Sequence, residues 1–246
     1  MDAAPLYEVF SSIQGEATRV GERHLFVRLA GCDLECAYCD TPASRKTPLC
    51  CRAHFPAGVE EIPNPLAPAT LDAVVRRLDE EAGPHHALSI TGGEPLLFVD
   101  YLRPLARGWR ERLPVLLETG GHRPAELERM LDAVDIVMAD IKIASSAGEA
   151  NATPLDTVRA FLALAARKEC AVKVVVSRRT TAGEVAEIAA LAHETAPDAP
   201  FILQPVEGAR FGPPTGDHLL ALQSACLRIH PAVRVIPQTH KAIHVR

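Results

Sequence analysis

The sequence predicts an α/β fold of about six strand–helix repeats, arranged as an open doubly wound sheet or as a partial parallel barrel. Short apolar runs recur along the chain, helical patterns lie between them, and no linker divides the 246 residues. In both architectures, ligands bind at the carboxyl ends of the strands. We therefore expect one domain over residues 1–246, with its site built from residues that follow the strands.

The predicted strands are apolar at consecutive positions, which is typical of parallel strands buried on both faces. They cover residues 24–31, 87–91, 114–119, 135–141, 170–176, 201–206 and 233–238.

Helical spacing appears between these strands. Leu71, Val74, Val75 and Leu78 predict one helix, and Leu102, Leu105 and Trp109 predict the next. Further helices are predicted at 124–134, 154–168, 182–196 and 216–230.

One segment interrupts the alternation. Residues 42–68 contain six prolines and the pair Cys50-Cys51, without sustained periodicity. We expect a long insertion loop there. Its two cysteines and His54 are too few to indicate a metal site, so a loop without metal is expected.

Composition excludes several classes of protein. No stretch approaches the ~20 apolar residues of a membrane span, and the first residues lack the features of a secretory signal. A net charge of −5 argues against a general nucleic-acid surface. Seven cysteines without a signal peptide indicate reduced thiols and a cytoplasmic protein. Cys170 and Cys226 are interpreted as small core residues.

Three of the cysteines, Cys32, Cys36 and Cys39, lie within eight residues. Structural zinc usually takes two close pairs, and a redox dithiol would use only the last two. Three thiolates on a tight loop suit an iron–sulfur cube whose fourth iron stays open. Spacing alone favours this cluster and leaves zinc as an alternative.

The spacing Cys32-x-x-x-Cys36-x-x-Cys39, with Tyr38 before the last cysteine, resembles the signature loop of the radical S-adenosylmethionine (SAM) superfamily. The stretch SITGGEPLL at 89–97 resembles its GGE motif. The resemblance implies a partial parallel β/α barrel, a 4Fe-4S cluster on the three cysteines, and SAM bound to the open iron. Residues expected on the cofactor side are Tyr38, Asp40, Gly92, Gly93, Glu94, Glu118, Asp140, Lys142 and Gln204.

Three further stretches resemble the 7-carboxy-7-deazaguanine synthase family of queuosine biosynthesis: EVFSSIQGE at 8–16, FVRLAGC at 26–32 with CDT at 39–41, and QTHK at 238–241. The resemblance implies a radical ring contraction of 6-carboxy-5,6,7,8-tetrahydropterin with loss of ammonia, assisted by Mg2+ on Thr41. It assigns no catalytic side chain, because a radical derived from SAM carries the reaction. It also implies an electron donor such as flavodoxin and a homodimer.

The same resemblance gives each substrate-side residue a role. Gln14 and Glu16 would bind the guanidine-like edge of the pterin, and Arg28 its carboxylate, with an internal salt bridge as the alternative for Arg28. His240 would pack near the pterin, and the terminal carboxylate of Arg246 would reach it. The full expected set is Ile13, Gln14, Gly15, Glu16, Arg28, Thr91, His240 and Arg246.

Two other functions remain open from the sequence. A radical-generating activase shares the cysteine loop and the GGE stretch, but it acts on a partner protein. In such an activase, the SIQGE loop (residues 12–16) and Arg28 would have no role. A non-catalytic zinc-binding module is the second alternative.

Overall fold

The structure, a computed structural model, describes residues 2–208 and 210–246. Its centre is an open sheet of ten strands in the order β10-β9-β8-β7-β6-β5-β2-β1-β3-β4. The strands are β1 Leu6–Ile13, β2 Arg23–Leu29, β3 Cys50–Phe55, β4 Gly58–Pro63, β5 Ala87–Gly92, β6 Val115–Thr119, β7 Ile136–Ile141, β8 Glu169–Val176, β9 Phe201–Pro205 and β10 Val233–Val235.

Seven of these strands form a continuous parallel array, from β2 and β5 through β10. Each coincides with one of the seven apolar runs, so their prediction is confirmed. Helices pack against one face of these strands, and residues such as Leu116, Met138 and Ile202 are buried on the other. The runs are therefore apolar at successive positions. The open, largely parallel sheet agrees with the expected partial barrel.

The helices connect the parallel strands. They are α1 Pro68–Ala82, α2 Val99–Trp109, α3 Pro124–Met130, α4 Ala144–Ala147, α5 Leu155–Ala165, α6 Ala182–Thr195, α7 Gly216–Leu227 and α8 Thr239–Ala242. The six predicted helices are confirmed, and the third tightens into a 3-10 turn at Leu131–Ala133. Among the described residues, no helix has the length and apolar character needed to span a membrane.

The proline-rich segment differs from its prediction as a loop. It folds into the antiparallel pair β3 and β4, and β3 pairs in parallel with β1. The burial of Cys51, Ala53 and Phe55 alternates with more exposed neighbours, which is the pattern of a strand with one buried face. Because both strands are short and flanked by prolines, this alternation is not evident in the sequence.

Two apolar clusters stabilise the fold. The larger one lies between the sheet and its helices and includes Cys226, with Cys170 packed against it, as expected of small core residues. The smaller one lies within the curve of the sheet and consists of Ala17, Leu116, Ile136, Met138 and Ile202. Each large side chain buried this way contributes about 1.5–3 kcal/mol relative to an exposed one. The smaller cluster lies next to a polar cavity.

Candidate active site

The polar cavity is lined by residues that alternate with core residues along the parallel strands. In β2, for example, Val27 and Leu29 lie in the larger core while Phe26 and Arg28 line the cavity. The same alternation in other strands exposes Thr91, Glu118, Asp140 and Gln204 to the cavity. The carboxyl ends of the strands therefore bring together side chains that are far apart in sequence.

The cysteine loop covers one side of this cavity. Cys32, Cys36 and Cys39 all line it, and no other cysteine of the described residues does. The backbone N–H of Cys39 donates to the carbonyl of Cys36 at 3.1 Å, and Arg45 donates to the same carbonyl at 2.8 Å. Three thiols facing one cavity without a fourth fit a 4Fe-4S cluster that keeps one iron open.

The cavity also offers an unused acceptor. Oε1 of Gln204 is buried and has no hydrogen-bond partner among the described residues. A buried carbonyl without a donor is costly unless a ligand supplies one. A bound molecule with hydroxyl or N–H groups, such as SAM, can donate a hydrogen bond to this oxygen.

The GGE stretch joins β5 to the cysteine loop. A Cβ on Gly93 would lie 2.0 Å from the carbonyl oxygen of Gly31, and Gly92 has φ +141°. Because these two glycines have no side chain, their backbone packs closely against Leu29 and Gly31. Glu94 is buried and accepts hydrogen bonds from Leu96 N, Thr119 Oγ1 and Gly120 N. The motif therefore fixes the cysteine loop against β5 and β6.

A network of charges crosses the cavity floor. The ammonium of Lys173 contacts a carboxylate oxygen of Glu16 and lies 3.1 Å from Oδ2 of Asp140. Lys142 lies 2.9 Å from the same oxygen, and the Tyr38 hydroxyl donates to Oδ1 at 3.4 Å. Burial raises the pKa of Asp140, but the two lysines lower it, and its pKa lies below its ordinary value. Asp140 is thus held as a carboxylate.

Glu16 is held in the same way. Burial raises the pKa of Glu16, while the charge of Lys173 and hydrogen bonds lower it, and the net pKa lies below its ordinary value. Nε2 of Gln238 donates to Oε1 of Glu16 at 2.6 Å and to Oδ2 of Asp40 at 3.0 Å. Glu16 is therefore an ionised acceptor inside the cavity.

The SIQGE loop and the QTHK segment meet over the cavity. The N–H of Thr239 donates to the carbonyl of Gly15 at 2.9 Å. A Cβ on Gly15 would lie 2.1 Å from Nδ1 of His240, so only glycine permits this contact. Gln14 donates to Oε1 of Glu118 at 2.8 Å.

Glu118 lies among residues expected on the substrate side. Besides Gln14, it accepts a hydrogen bond from Thr91 at 3.2 Å. Burial and the charge of Glu16 raise the pKa of Glu118 above its ordinary value. Glu16 and Glu118 are neighbours, yet the pKa of Glu16 is lowered and the pKa of Glu118 is raised. The difference arises because only Glu16 contacts a lysine.

Of the expected residues within the described part of the chain, Thr41 is the one that does not line the cavity. Its hydroxyl donates to Oδ1 of Asp40 at 3.0 Å. Ligand atoms of Glu16, Asp40 and His240 lie within 4.8 Å of one another. The remaining expected residues line the cavity: Ile13, Gln14, Gly15, Glu16, Arg28, Cys32, Cys36, Tyr38, Cys39, Asp40, Thr91, Gly92, Gly93, Glu94, Glu118, Asp140, Lys142, Gln204, His240 and Arg246.

Several cavity residues were missed by sequence reasoning. Phe10 and Phe26 stack at 4.8 Å with nearly parallel rings, and Lys173 and Gln238 belong to the network around Glu16. Arg28 forms the internal salt bridge that we kept as an alternative, from its Nε to Oε1 of Glu8 at 3.1 Å. A lysine within the apolar run 170–176 was the clearest signal available, because a buried ammonium requires partners.

Comparison with known proteins gives a consistent result. A family model described as the radical SAM superfamily matches residues 27–194. The 7-carboxy-7-deazaguanine synthase of Geobacter sulfurreducens is 39% identical, with 97% of this chain and 96% of that protein aligned. The enzymes of the same name from Methanothermobacter thermautotrophicus and Archaeoglobus fulgidus are 33% and 34% identical over 99% of this chain, and over 98% and 99% of theirs.

Solved structures share the fold. QueE from Escherichia coli superposes with a TM-score of 0.63 at 19% identity, covering 96% of this chain and 93% of that one. Streptococcus suis SuiB gives a TM-score of 0.55 at 12% identity, covering 85% of this chain and 47% of that one.

Proposed function

Because the chain belongs to the radical SAM superfamily and, within it, to the 7-carboxy-7-deazaguanine synthases, we propose that it converts 6-carboxy-5,6,7,8-tetrahydropterin into 7-carboxy-7-deazaguanine. The reaction contracts the ring, releases ammonia and belongs to 7-deazapurine biosynthesis. The observation that carries this proposal is a single cavity in which three cysteine thiols face both Glu16 and Arg28. These two side chains complement a guanidine-like edge and a carboxylate.

Cys32, Cys36 and Cys39 hold the cluster in this proposal. When bound, the 4Fe-4S cluster and SAM together supply the radical that removes a hydrogen atom from C6 of the pterin. The protein's own contribution is to bind, orient and exclude water. The position of all three cysteines on the lining of one cavity supports this role of the protein.

We assign the cofactor side of the cavity to SAM. The assigned residues are Tyr38, Asp40, Gly92, Gly93, Glu94, Glu118, Asp140, Lys142 and Gln204. Gln204 has an unused buried acceptor, and Tyr38 packs beside the ammonium of Lys142, 5.2 Å from its ring centre. Glu118 accepts hydrogen bonds from Gln14 and Thr91, so in this proposal it connects the cofactor side to the substrate side.

The pterin lies on the opposite side, where Gln14 and the ionised Glu16 bind its guanidine-like edge. Arg28 keeps its two terminal nitrogens free of hydrogen bonds to any described residue and binds the carboxylate. Ile13, Gly15, Thr91, His240 and Arg246 complete this side. The backbone oxygen of Arg246 accepts a hydrogen bond from Ser12 at 2.7 Å, which fixes that residue at the cavity.

Three further assignments follow from the family resemblance. Mg2+ binds beside the Asp40-Thr41 pair, where oxygen ligands are concentrated, as a hard cation requires. A protein such as flavodoxin donates the electron, and the enzyme is a cytoplasmic homodimer. The free cysteines of the described chain support a reducing compartment.

The decisive experiment is turnover without a partner protein. Reduced, anaerobically prepared enzyme with SAM and carboxytetrahydropterin should form 7-carboxy-7-deazaguanine, identified by mass spectrometry. Arg28→Ala should lose most of this turnover, whereas Arg23→Ala, an exposed arginine on the same strand, should retain it. Absence of product from the wild-type enzyme, with activation of a protein substrate instead, would support the activase alternative.

Colour distinguishes the enzyme from a zinc-binding module. Anaerobic preparations should be brown and contain about four irons per chain. Cys36→Ala should lose both the colour and all activity, and the core variant Cys226→Ala should keep both. A colourless wild-type protein with stoichiometric zinc would contradict the proposal.

A further inference from the structure

Glu8 is a buried carboxylate on β1 that contacts no part of the cavity floor. Its side chain is 6% exposed, and Oε1 accepts a hydrogen bond from Nε of Arg28 at 3.1 Å. Oε2 lies 2.8 Å from Nη1 of Arg246 and 3.3 Å from Nε2 of His54, the latter without hydrogen-bond geometry. A carboxylate this buried requires such partners.

We propose that Glu8 is a positioning residue that aims Arg28 at the substrate carboxylate, and that the β3–β4 hairpin holds Glu8 in place. This inference rests on the proposed function. It assigns a role to the hairpin, which follows the cysteine loop in sequence and provides no residue that lines the cavity.

The geometry of Arg28 supports this role. Glu8 occupies the Nε edge of the guanidinium, and the ring of Phe10 lies beneath it, 5.6 Å from Cζ to the ring centre. Phe10 is itself held by stacking on Phe26. Because the guanidinium is planar, an anchored edge and a supported face leave only the terminal nitrogens for a ligand. Those two nitrogens can bind a carboxylate with two parallel hydrogen bonds.

Glu8 is shared by three guanidinium groups. Its carboxylate lies 3.1 Å from Arg28, 2.8 Å from Arg246 and 4.0 Å from Arg52, and the first two arginines line the cavity. One carboxylate does not occupy all the hydrogen-bond donors of these cations, so the terminal nitrogens of Arg28 can bind a second carboxylate.

The register of the sheet explains how the hairpin reaches Glu8. Strand β3 pairs in parallel with β1 so that Arg52 lies beside Glu8 and His54 beside Phe10. Neighbouring residues in such a pair share a face of the sheet. Arg52 and His54 therefore lie on the face of Glu8, while Cys51, Ala53 and Phe55 pack into the core.

The test compares two pterins. Carboxytetrahydropterin is used as the substrate, and tetrahydropterin, which lacks the carboxylate, is tested as a competitive inhibitor to report on the rest of the pocket. The ratio of the inhibition constant to KM measures the preference for the carboxylate. Glu8→Gln should lower this preference about tenfold or more, as expected for loss of a well-aimed charged contact. Glu8→Asp should restore part of it.

The matched control is Glu61→Gln, which changes an exposed glutamate on β4. It should keep the wild-type preference. His54→Gln removes the nearer of the hairpin's two contacts with Glu8, the other being Arg52 at 4.0 Å, and should lower the preference by a smaller factor than Glu8→Gln. In an Arg28→Ala background, Glu8→Gln should have no further effect on the preference, because Glu8 acts through Arg28.

Three outcomes would overturn the inference. These are an unchanged preference in both Glu8→Gln and His54→Gln, equal weakening of both pterins, or additive effects of Glu8→Gln and Arg28→Ala. If Glu8→Gln does not fold, His54→Gln decides alone. Failure of the proposed function is a separate result, since the wild-type enzyme itself would then not convert carboxytetrahydropterin.

Discussion

Lys173 is the buried cation that connects the two sides of the cavity. It contacts Glu16, on the substrate side, and Asp140, on the cofactor side. Burial lowers the pKa of Lys173, but the charges of Asp140 and Glu16 raise it above its ordinary value. Because each charge stabilises the others, loss of the ammonium would leave buried carboxylates without their partner.

We therefore expect Lys173→Met to destabilise the protein and to impair substrate binding. Removal of one member of a buried ion pair costs about 3–5 kcal/mol, and Lys142 would offset part of this at Asp140. Urea denaturation measures the stability, and KM for the pterin measures the effect on Glu16. Lys168→Met, outside the network, should change neither value. A wild-type KM in Lys173→Met would show that Glu16 does not depend on this lysine.

His24 should make the free energy of unfolding depend on pH in the acidic range. It is fully buried on β2, where Nδ1 contacts Ser89 Oγ at 2.7 Å and Nε2 contacts Glu22 at 3.1 Å. Burial lowers the pKa of His24 below its ordinary value, although Glu22 raises it and His86 and Arg19 add to the lowering. The unfolded chain therefore binds this proton more readily than the folded protein does.

It follows that the contribution of His24 is complete above about pH 6.5 and decreases as the pH falls below it. The loss is at most about 1.4 kcal/mol per pH unit. Urea denaturation between pH 7 and 5 should show a shallower loss for His24→Gln than for the wild type. His193→Gln, an exposed histidine, should retain the wild-type slope. Equal slopes in all three proteins would contradict the assignment.

At the scale of elements, the close packing of β5 against the cysteine loop depends on Gly93. A methyl group there would lie 2.0 Å from Gly31 O and 3.1 Å from Cys32 Cβ. Gly93→Ala should therefore displace the loop and reduce the iron content of the protein. Gly108→Ala, in α2 with open space around it, should keep the iron and raise the stability by about 0.5–1 kcal/mol. Full iron in Gly93→Ala would show that the loop can move without loss of the cluster.

The seven parallel strands could be predicted because burial on both faces leaves a continuous apolar run in the sequence. Strands β1, β3 and β4 could not, because one face of each is polar or exposed. The alternation in β1 includes Glu8 and Ser12, and β4 is almost entirely exposed. A strand with polar or exposed residues on one face therefore leaves a weaker signal in the sequence than a strand that is apolar on both faces.

The site was predicted where a motif or a strand end marks a residue. Glu16, Arg28 and the three cysteines lie in such stretches, and all line the cavity. Lys173 lies inside a strand, and its partner is distant in sequence, because Glu16 precedes it by 157 residues. Pairing at that separation depends on the order of strands in the sheet, which local patterns do not contain.

At the scale of the whole molecule, at least one side chain of the cavity comes from each of the parallel strands β2, β5, β6, β7, β8 and β9. A ligand that fills it should stabilise the entire sheet. SAM at 100 times its Kd should raise the free energy of unfolding by about 2.7 kcal/mol, measured anaerobically by denaturation. Cys36→Ala should show a smaller rise at the same SAM concentration, because the iron that anchors SAM is lost. An equal rise would indicate that the side chains alone bind SAM.

The contact between Gln238 and Glu16 joins residues 222 positions apart. During synthesis, at about 5–20 residues per second, the substrate side therefore stays open for at least ten seconds after the SIQGE loop is made. The cysteine loop and GGE stretch, residues 32–94, emerge much earlier. The three cysteines are thus synthesised well before the QTHK segment that contacts the SIQGE loop over the cavity.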